Sequence, residues 1–359
     1  MKKVLVAMSG GIDSSVAAAL LQEQGFDVRG ATMELSAAVN PAIKDAKLVA
    51  DALSIPHYTV DAAEIFENIV IKYFINEYRS GRTPNPCVVC NRRLKFGLLM
   101  SKALELGCDH LATGHYAVID DGELRRGVDV NKDQSYFLYP ILQSAPAADK
   151  GALIDKIIFP LGRLTKGEVR TYAKKLNLPA AEKSESQDIC FIPSGNYQDF
   201  LRSRGVGGGD HTAGHIIGTD GKILGRHTGI HNFTIGQRKG LGALGKRMYV
   251  KQINAADNTV IAAEEQLLES SDITLRDVIC SKRGLNVNDQ YQVQIRYRSK
   301  PAGAKIVSIN DSQSPKTPAP TPTINLRFSS PVKSVTPGQS AVIYDGDTVI
   351  AGGVIGFGA

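Results

Sequence analysis

The apolar run Val4-Leu5-Val6 leads straight into Ala7-Met8-Ser9-Gly10-Gly11-Ile12-Asp13-Ser14-Ser15, and that stretch into Val16-Ala17-Ala18-Ala19-Leu20-Leu21. The first run reads as a buried strand and the second as a helix ending near Gly25. A glycine-rich turn between a strand and a helix N-terminus belongs to βα units, whose strands lie parallel. It is also a natural anion site, because backbone N–H groups converge there and the helix dipole adds partial positive charge. Ser9, Ser14 and Ser15 add hydroxyls, and Ser14 or Ser15 is a candidate helix cap. The stretch lacks the lysine of G-x-x-x-x-G-K-[ST] and the spacing of G-x-G-x-x-G, so neither a Walker-type loop nor a dinucleotide fingerprint fits. An aspartate and three serines around paired glycines exceed what an ordinary turn needs.

The βα pattern continues. Val28–Glu34 reads as a strand, and Ala42–Leu53 as a helix with Ile43, Ala46, Val49, Ala50 and Leu53 on one face. His57–Asp61 is a strand, Glu64–Tyr78 an amphipathic helix stopped by Ser80-Gly81, Arg92–Leu106 a helix, and His110–Tyr116 a strand carrying Thr113-Gly114-His115. Repeated units of this kind predict a parallel sheet with helices on both faces and a ligand beyond the C-terminal strand ends. The glycine loop and Gly114-His115 both fall there. Gly207-Gly208-Gly209 then reads as a flexible joint, and the glycine-rich stretch Gly214–Gly245, with Asp220-Gly221 as a hairpin turn, as a small β module. Farther on, Tyr291, Val293, Ile295 and Tyr297 share one strand face, and Gln292, Gln294, Arg296 and Arg298 the other. With Ile324–Phe328, Ala341–Tyr344 and a turn at Asp345-Gly346, this predicts a small β-barrel. Asn310–Pro322, rich in Ser, Thr and Pro, reads as a mobile loop within it. The expected architecture is α/β: a parallel-sheet domain over 1–198, a small mostly-β central domain over 199–270, and a C-terminal β-barrel over 271–359.

No apolar run approaches the ~20 residues of a membrane span. Met1–Ala7 leaves no room for a signal peptide before the glycine loop. Five cysteines without an export signal point to reduced thiols and a cytoplasmic location. A net charge of +6 permits a polyanionic partner without demonstrating one. Nothing in the chain asks for an obligate dimer, so a monomer is expected.

Two segments carry cysteine chemistry. In Thr83-Pro84-Asn85-Pro86-Cys87-Val88-Val89-Cys90-Asn91, the prolines hold the chain extended, which places Cys90 at the entrance to the Arg92–Leu106 helix. There the dipole and Arg92/Arg93 are expected to lower its thiol pKa. The second segment, Ser186-Gln187-Asp188-Ile189-Cys190-Phe191-Ile192-Pro193, reads as a loop or short strand. Three readings stay open. Structural zinc needs four ligands, and only one C-x-x-C pair exists. An iron–sulfur cluster on Cys87, Cys90 and Cys190 would leave one iron open. A pair of reactive thiols over the anion site would have one sulfur carried as a persulfide and the other thiol attacking or resolving it. Cys108 and Cys280 read as small buried apolar residues. Thr234–Gly242, with Arg238 and Lys239, suits phosphates or a solvated basic turn equally. Lys132-Asp133-Gln134-Ser135 reads as a helix start with Asp133 as N-cap, Arg296/Arg298 as a barrel exterior, and His115 as a polar strand end.

Ser9–Ser14 resembles the PP-loop of ATP pyrophosphatases. The chain as a whole resembles bacterial tRNA-specific 2-thiouridylases over nearly its full length, through Met8–Ser15, Gly81–Phe96, Ala112–Tyr116, Asp129–Tyr139, Phe159–Leu164, Gln187–Ile192, Thr234–Gly242, Ile295–Arg298, Thr336–Gln339 and Tyr344–Gly353. The resemblance implies a PP-loop, adenine nucleotide hydrolase-like domain followed by the central domain and barrel. It implies ATP with Mg2+, adenylation of O2 of the anticodon wobble uridine, its replacement by sulfur, and release of AMP and pyrophosphate. The implied partners are tRNA and a persulfide donor, either a cysteine desulfurase or a relay protein. Cys190 matches the persulfide carrier and Cys90 the nucleophile, the two being able to form a disulfide. Ala7, Met8, Ser9, Gly10, Gly11, Ile12, Asp13, Ser14, Met33 and Gly114 match nucleotide contacts, and Asn85, Pro86 and Cys87 the segment facing the target base. His115, Lys132, Asp133, Gln134, Arg296, Tyr297 and Gln339 match tRNA contacts. Position 87 is cysteine where some members carry aspartate, which puts a carboxylate acid/base there in doubt and adds weight to the cluster. Leu35–Pro41 is short for the family and Asn310–Pro322 long. A PP-loop ligase of another class would not require Cys90 and Cys190.

Overall fold

The computed structural model describes residues 1–36, 41–143, 152–181, 189–192, 195–207, 212–312 and 321–356. Five parallel strands form the first sheet, in the order His57–Asp61, Asp27–Glu34, Lys3–Ala7, His110–Thr113 and Ile157–Ile158. Val4, Leu5 and Val6 are completely buried in the central strand, as a strand covered on both faces requires. Ala7 pairs with Ala31 on one side and Thr113 on the other, so the direction of winding reverses at this strand. Such a switch point opens a crevice at the C-terminal strand ends. The loop after Ala7 and Gly114 after Thr113 form its two lips.

Two long helices flank the crevice. The first runs without a break through Ala63–Ile65, Phe66–Ile71 and Lys72–Arg79, the second through Pro86–Cys90, Asn91–Leu98 and Leu99–Glu105. The middle third of each has π-helical geometry, a local widening that is often found at functional sites. The second helix therefore begins at Pro86, ahead of the expected Arg92. Proline is favoured at the first helical position, because its missing N–H has no intrahelical partner there anyway.

The central sheet has the order Tyr249–Asn254, Thr259–Ala263, Gly214–Gly218 and Ile223–His227. Its last two strands are joined through Asp220-Gly221 as expected, with Gly221 at φ +81°. The barrel strands run in the order Glu269–Cys280, Thr321–Lys333, Ala302–Ser312, Gln290–Gln294, Ser340–Asp345 and Thr348–Ile355. Pairing of Thr348–Ile355 back onto Glu269–Cys280 closes the barrel around Leu275, Val293, Ile306, Leu326 and Ile343.

Several local expectations change. The strand His110–Tyr116 stops at Thr113. The chain then makes a hairpin, Ala117–Asp120 with Glu123–Arg126, that joins the barrel's sheet through Arg125 opposite Thr348. The strands around the expected loop Asn310–Pro322 run on to Ser312 and restart at Thr321, and the residues between them lie outside the described set. The alternation through Tyr297 yields a strand only to Gln294. Beyond it the chain turns, with Arg298 at φ +65°. Most of the short segment Leu35–Pro41, Gly208-Gly209, Ser186–Asp188 and Pro193 also lie outside the described residues. Among the described residues no helix is long and apolar enough to cross a membrane.

Candidate functional site

The glycine loop is built to pass close under a neighbouring helix. Gly10 has φ +69°, and a Cβ there would stand 2.6 Å from Asp45 Cβ and 2.9 Å from the Ala42 carbonyl oxygen. The helix Ile12–Glu23 has Gly11 as N-cap and no side-chain cap. Ser14 and Ser15 do not cap it, contrary to expectation. Their hydroxyls donate back to the Gly11 carbonyl at 3.2 and 2.8 Å, and Ser14 Oγ also accepts from the Ser9 N–H at 3.1 Å. The serines thus brace the loop from within the first turn.

The strand before the loop is held from the side. Thr32 Oγ1 lies 2.9 Å from the Met8 carbonyl oxygen and 2.8 Å from His57 Nε2. A hydroxyl has one hydrogen, and the carbonyl can only accept, so Thr32 donates to Met8 and His57 Nε2–H donates to Thr32. Met33 follows, half-buried against the core. Asp13 Oδ1 accepts from Lys166 Nζ at 2.6 Å and from the Tyr116 hydroxyl at 2.7 Å. Lys166 is only 7% exposed and opens the helix Lys166–Lys175. The sequence reading missed this lysine, although Thr165-x-x-Glu168 is a capping-box signal that marks the start of its helix. Gly114 packs directly on the loop: a Cβ there would stand 2.8 Å from the Asp13 carbonyl carbon and the Ser14 nitrogen.

Cys90 lies inside the helix that starts at Pro86, with Asn85 as N-cap and Cys87 in the first turn. This overturns the expected helix entrance and its consequence. Burial pushes the Cys90 thiol up to about 11, against which Lys95 is the opposing cation. Cys87 and Cys190 are exposed at the surface, and their thiols are raised by the desolvation that the surrounding protein still imposes, again opposed by Lys95. Lys95 follows Cys90 by five residues, in the π-helical stretch where the backbone bonds i to i+5.

Cys190 sits in a turn closed by the Ile192 N–H on the Ile189 carbonyl, at 2.8 Å. Phe191 anchors the turn edge-on against Phe66 at 5.7 Å and Phe74 at 5.3 Å. Cys90, Ile189 and Phe191 pack on one apolar cluster, and the nearby Cys190 adds to the cost of ionising Cys90. Tertiary packing thus brings together two cysteines far apart in sequence. Among the described residues no three His, Cys, Asp or Glu converge closely enough to hold a metal ion. Cys108 is buried as expected; Cys280 is only partly so.

The thiols and the glycine loop are joined through one short segment. His115 is 8% exposed, with Nδ1 2.6 Å from Thr113 Oγ1 and Nε2 3.2 Å from Lys95 Nζ. Burial holds its pKa well below the usual histidine value, and Lys95 lowers it further. The neutral ring accepts from the lysine at Nε2 and donates from Nδ1. Its neighbour Gly114 touches Asp13.

The remaining residues expected at a tRNA surface are engaged mostly within the protein. Asp133 accepts from the Gly127 and Ser135 N–H groups, from Ser135 Oγ and from Arg126, so it ties a loop together; the short turn Ser135–Phe137 has Gln134 as its N-cap. Gln134 accepts from the Tyr116 N–H at 3.0 Å, and Lys132 is half-buried beside it. Arg126, which the sequence reading missed, lies 3.7 Å over the Tyr344 ring and bonds Gln294. Arg296, expected on the barrel exterior, instead turns inward to the Ser334 carbonyl and to Thr336 Oγ1 at 3.0 Å. Tyr297 packs on Phe137, with ring centres 4.5 Å apart. Gln339 donates to the Thr83 and Pro84 carbonyls at 3.1 and 3.0 Å. In the central module, Arg238 and Lys239 are exposed.

Comparison with known proteins adds a second line. Residues 2–194 match a family model described as a tRNA methyl transferase HUP domain, 199–264 a tRNA methyl transferase PRC-barrel domain, and 278–355 an aminomethyltransferase beta-barrel domain. The tRNA-specific 2-thiouridylase MnmA of Acetivibrio thermocellus is 42% identical over 375 residues, covering 99% of both chains. The protein of the same name from Caldicellulosiruptor saccharolyticus is 41% identical over 375 residues, covering 99% of this chain and 98% of its own. That from Halothermothrix orenii is 42% identical over 374 residues, covering 99% of both.

Proposed function

The chain belongs to the tRNA-specific 2-thiouridylase family, and from that membership we propose that it is an ATP-dependent tRNA-uridine 2-sulfurtransferase acting on the anticodon wobble position. The observation that carries the chemistry is the packing of the Cys190 turn and the Cys90 helix on one apolar cluster, linked to the glycine loop through Lys95, His115 and Gly114.

A uridine carbonyl is a poor electrophile. In this reading O2 attacks the α-phosphate of Mg2+-bound ATP, the bond to the β-phosphate breaks, and pyrophosphate departs. The uncapped start of Ile12–Glu23, with Ala7–Ser14, Met33 and Gly114 around it, holds the nucleotide. The terminal sulfur of a Cys190 persulfide then attacks C2, and AMP leaves with the oxygen. Cys90 attacks Cys190 Sγ and breaks the S–S bond. This releases 2-thiouridine and leaves a Cys90–Cys190 disulfide, which a thiol reductant reopens. A persulfide terminus is more acidic than a thiol, so the environment that keeps Cys90 protonated spares the loaded sulfur. Lys95 is placed to stabilise the anion at each stage.

The wobble base lies in a single-stranded loop and can be splayed into the crevice without opening a duplex. Asn85, Pro86 and Cys87 face it there. His115, Lys132, Asp133, Gln134, Arg296 and Tyr297 line the seam along which tRNA lies, several of them shaping that seam more than touching it, and Gln339 shapes it from the barrel side without binding tRNA through its amide N–H groups. The same reading divides the chain at 198 and 270, and has a monomer in the cytoplasm supplied by a cysteine desulfurase or relay protein.

The test is nucleoside mass spectrometry on tRNA incubated with protein, ATP and a persulfide donor. Cys190→Ser should make no 2-thiouridine while still binding ATP. Full thiolation by that variant would sink the persulfide assignment.

A further inference from the structure

The segment that leads into the cysteine helix is held from three directions. Within its own domain, Arg82 grips Glu77 through two hydrogen bonds, 2.7 and 2.5 Å long. From the central module, Thr234 Oγ1 stands 3.5 Å from Thr83 Oγ1. From the barrel, the Pro337 carbonyl accepts from the Thr83 N–H at 2.9 Å, and Gln339 Nε2 donates to the carbonyls of Thr83 at 3.1 Å and Pro84 at 3.0 Å. The barrel approaches closely enough that a Cβ on Gly338 would lie 2.8 Å from the Thr83 carbonyl oxygen. The next residue, Asn85, is the N-cap of the helix bearing Cys87 and Cys90.

A primary amide nitrogen has two hydrogens. Both are directed to the Thr83 and Pro84 carbonyls, which leaves the Gln339 side chain with an acceptor oxygen only. Such a group cannot hydrogen-bond a phosphate oxygen, which is itself an acceptor. We propose that Gln339 is a positioning residue for catalysis: its amide fastens the barrel to Thr83 and Pro84 and so sets the start of the helix that presents Cys87 and Cys90. A displacement of about 1 Å in a reacting group costs on the order of a hundredfold in rate. Losing this clamp should therefore weaken turnover more than binding. The barrel and central module meet the segment at the same residue, so tRNA held by either is coupled to the position of the thiols.

The inference rests on the thiolation reading for its kinetic half, and on geometry alone for the other half. Two variants are compared with wild type: Gln339→Glu, which replaces the donors by a carboxylate, and Gln339→Met, which keeps length without donors. Hydrogen exchange of the Thr83 amide should quicken by about tenfold or more in both, as expected when a local clamp opens. Single-turnover thiolation at saturating tRNA and ATP should fall by at least about tenfold, with tRNA affinity within about twofold of wild type. Unchanged ATP affinity shows that each variant is folded. Unchanged exchange at Thr83 overturns the proposal, as does a loss of tRNA affinity with the saturated rate preserved. Faster exchange with a wild type inactive on tRNA supports the clamp and overturns the thiolation reading instead.

Discussion

Lys166 Nζ lies 2.6 Å from Asp13 Oδ1, an ion pair between the glycine loop and a helix that starts far along the chain. Lys166 is 7% exposed, so its ammonium loses most of its hydration and depends on partners such as this carboxylate. Lys166→Met is expected to loosen the loop and to leave Asp13 facing the ATP phosphates with less compensation. ATP affinity should fall by about tenfold, and stability by about 1–3 kcal/mol, the range for losing a charge-assisted bond at a partly buried group. Isothermal titration with ATP and urea denaturation check the two halves.

Gly114 touches the backbone of Asp13 and Ser14, where nothing can yield as a flexible side chain would. Gly114→Ala places a methyl group 2.8 Å from two backbone atoms and must push the loop away from the neighbouring strand end. The expected cost is about 1–3 kcal/mol of stability, with ATP affinity lost by more than about tenfold. The melting temperature and ATP titration read these out, and an unchanged ATP affinity would contradict the packing described.

The Cys90 thiol, pushed up to about 11 by burial, is protonated at neutral pH. Raising the pH converts thiol to thiolate, so alkylation of Cys90 should quicken roughly tenfold per pH unit from about pH 7 and reach no plateau below about pH 10. Lys95 opposes the upward shift, so Lys95→Met raises the pKa further and slows alkylation at a fixed pH near 8. Peptide mass spectrometry after brief iodoacetamide treatment follows each cysteine separately. A plateau near pH 8 would show a thiolate already stabilised in the resting protein.

Much of the first domain could be read from the chain because its signals are local. Val4-Leu5-Val6 needed only burial on both faces, and the Ser9–Ser14 loop needed only its glycines and hydroxyls in order. Asp220-Gly221 marked a hairpin by backbone chemistry alone. The cysteine helix was misjudged for a comparably local reason. Pro84 and Pro86 looked like helix breakers, whereas Pro86 occupies the first helical position, where its missing N–H is harmless. Moving that boundary put Cys90 inside the helix, where burial rather than a helix end sets the direction of its pKa shift.

Arg296 was misplaced for a different reason, and the Gln339 clamp could not be read at all. Strand alternation tells which residues share a face while the strand lasts, but the strand at Gln290 ends at Gln294, and Arg296 then follows a turn into a seam. No local pattern signals that a side chain will meet a carbonyl from another domain.

What the sequence determined by itself was the parallel-sheet order of events around the glycine loop, the mostly-β character of the rest, and the supply of two cysteine-bearing segments. Periodicity, glycine placement and residue type carry that information over a few residues at a time. Only the tertiary structure decided that Cys190 meets the Cys90 helix, that Lys166 reaches Asp13, and that Gln339 holds Thr83. Those contacts join residues distant in the chain, and they arise because burying apolar surface in one domain fixes where the polar groups of the others must be paired.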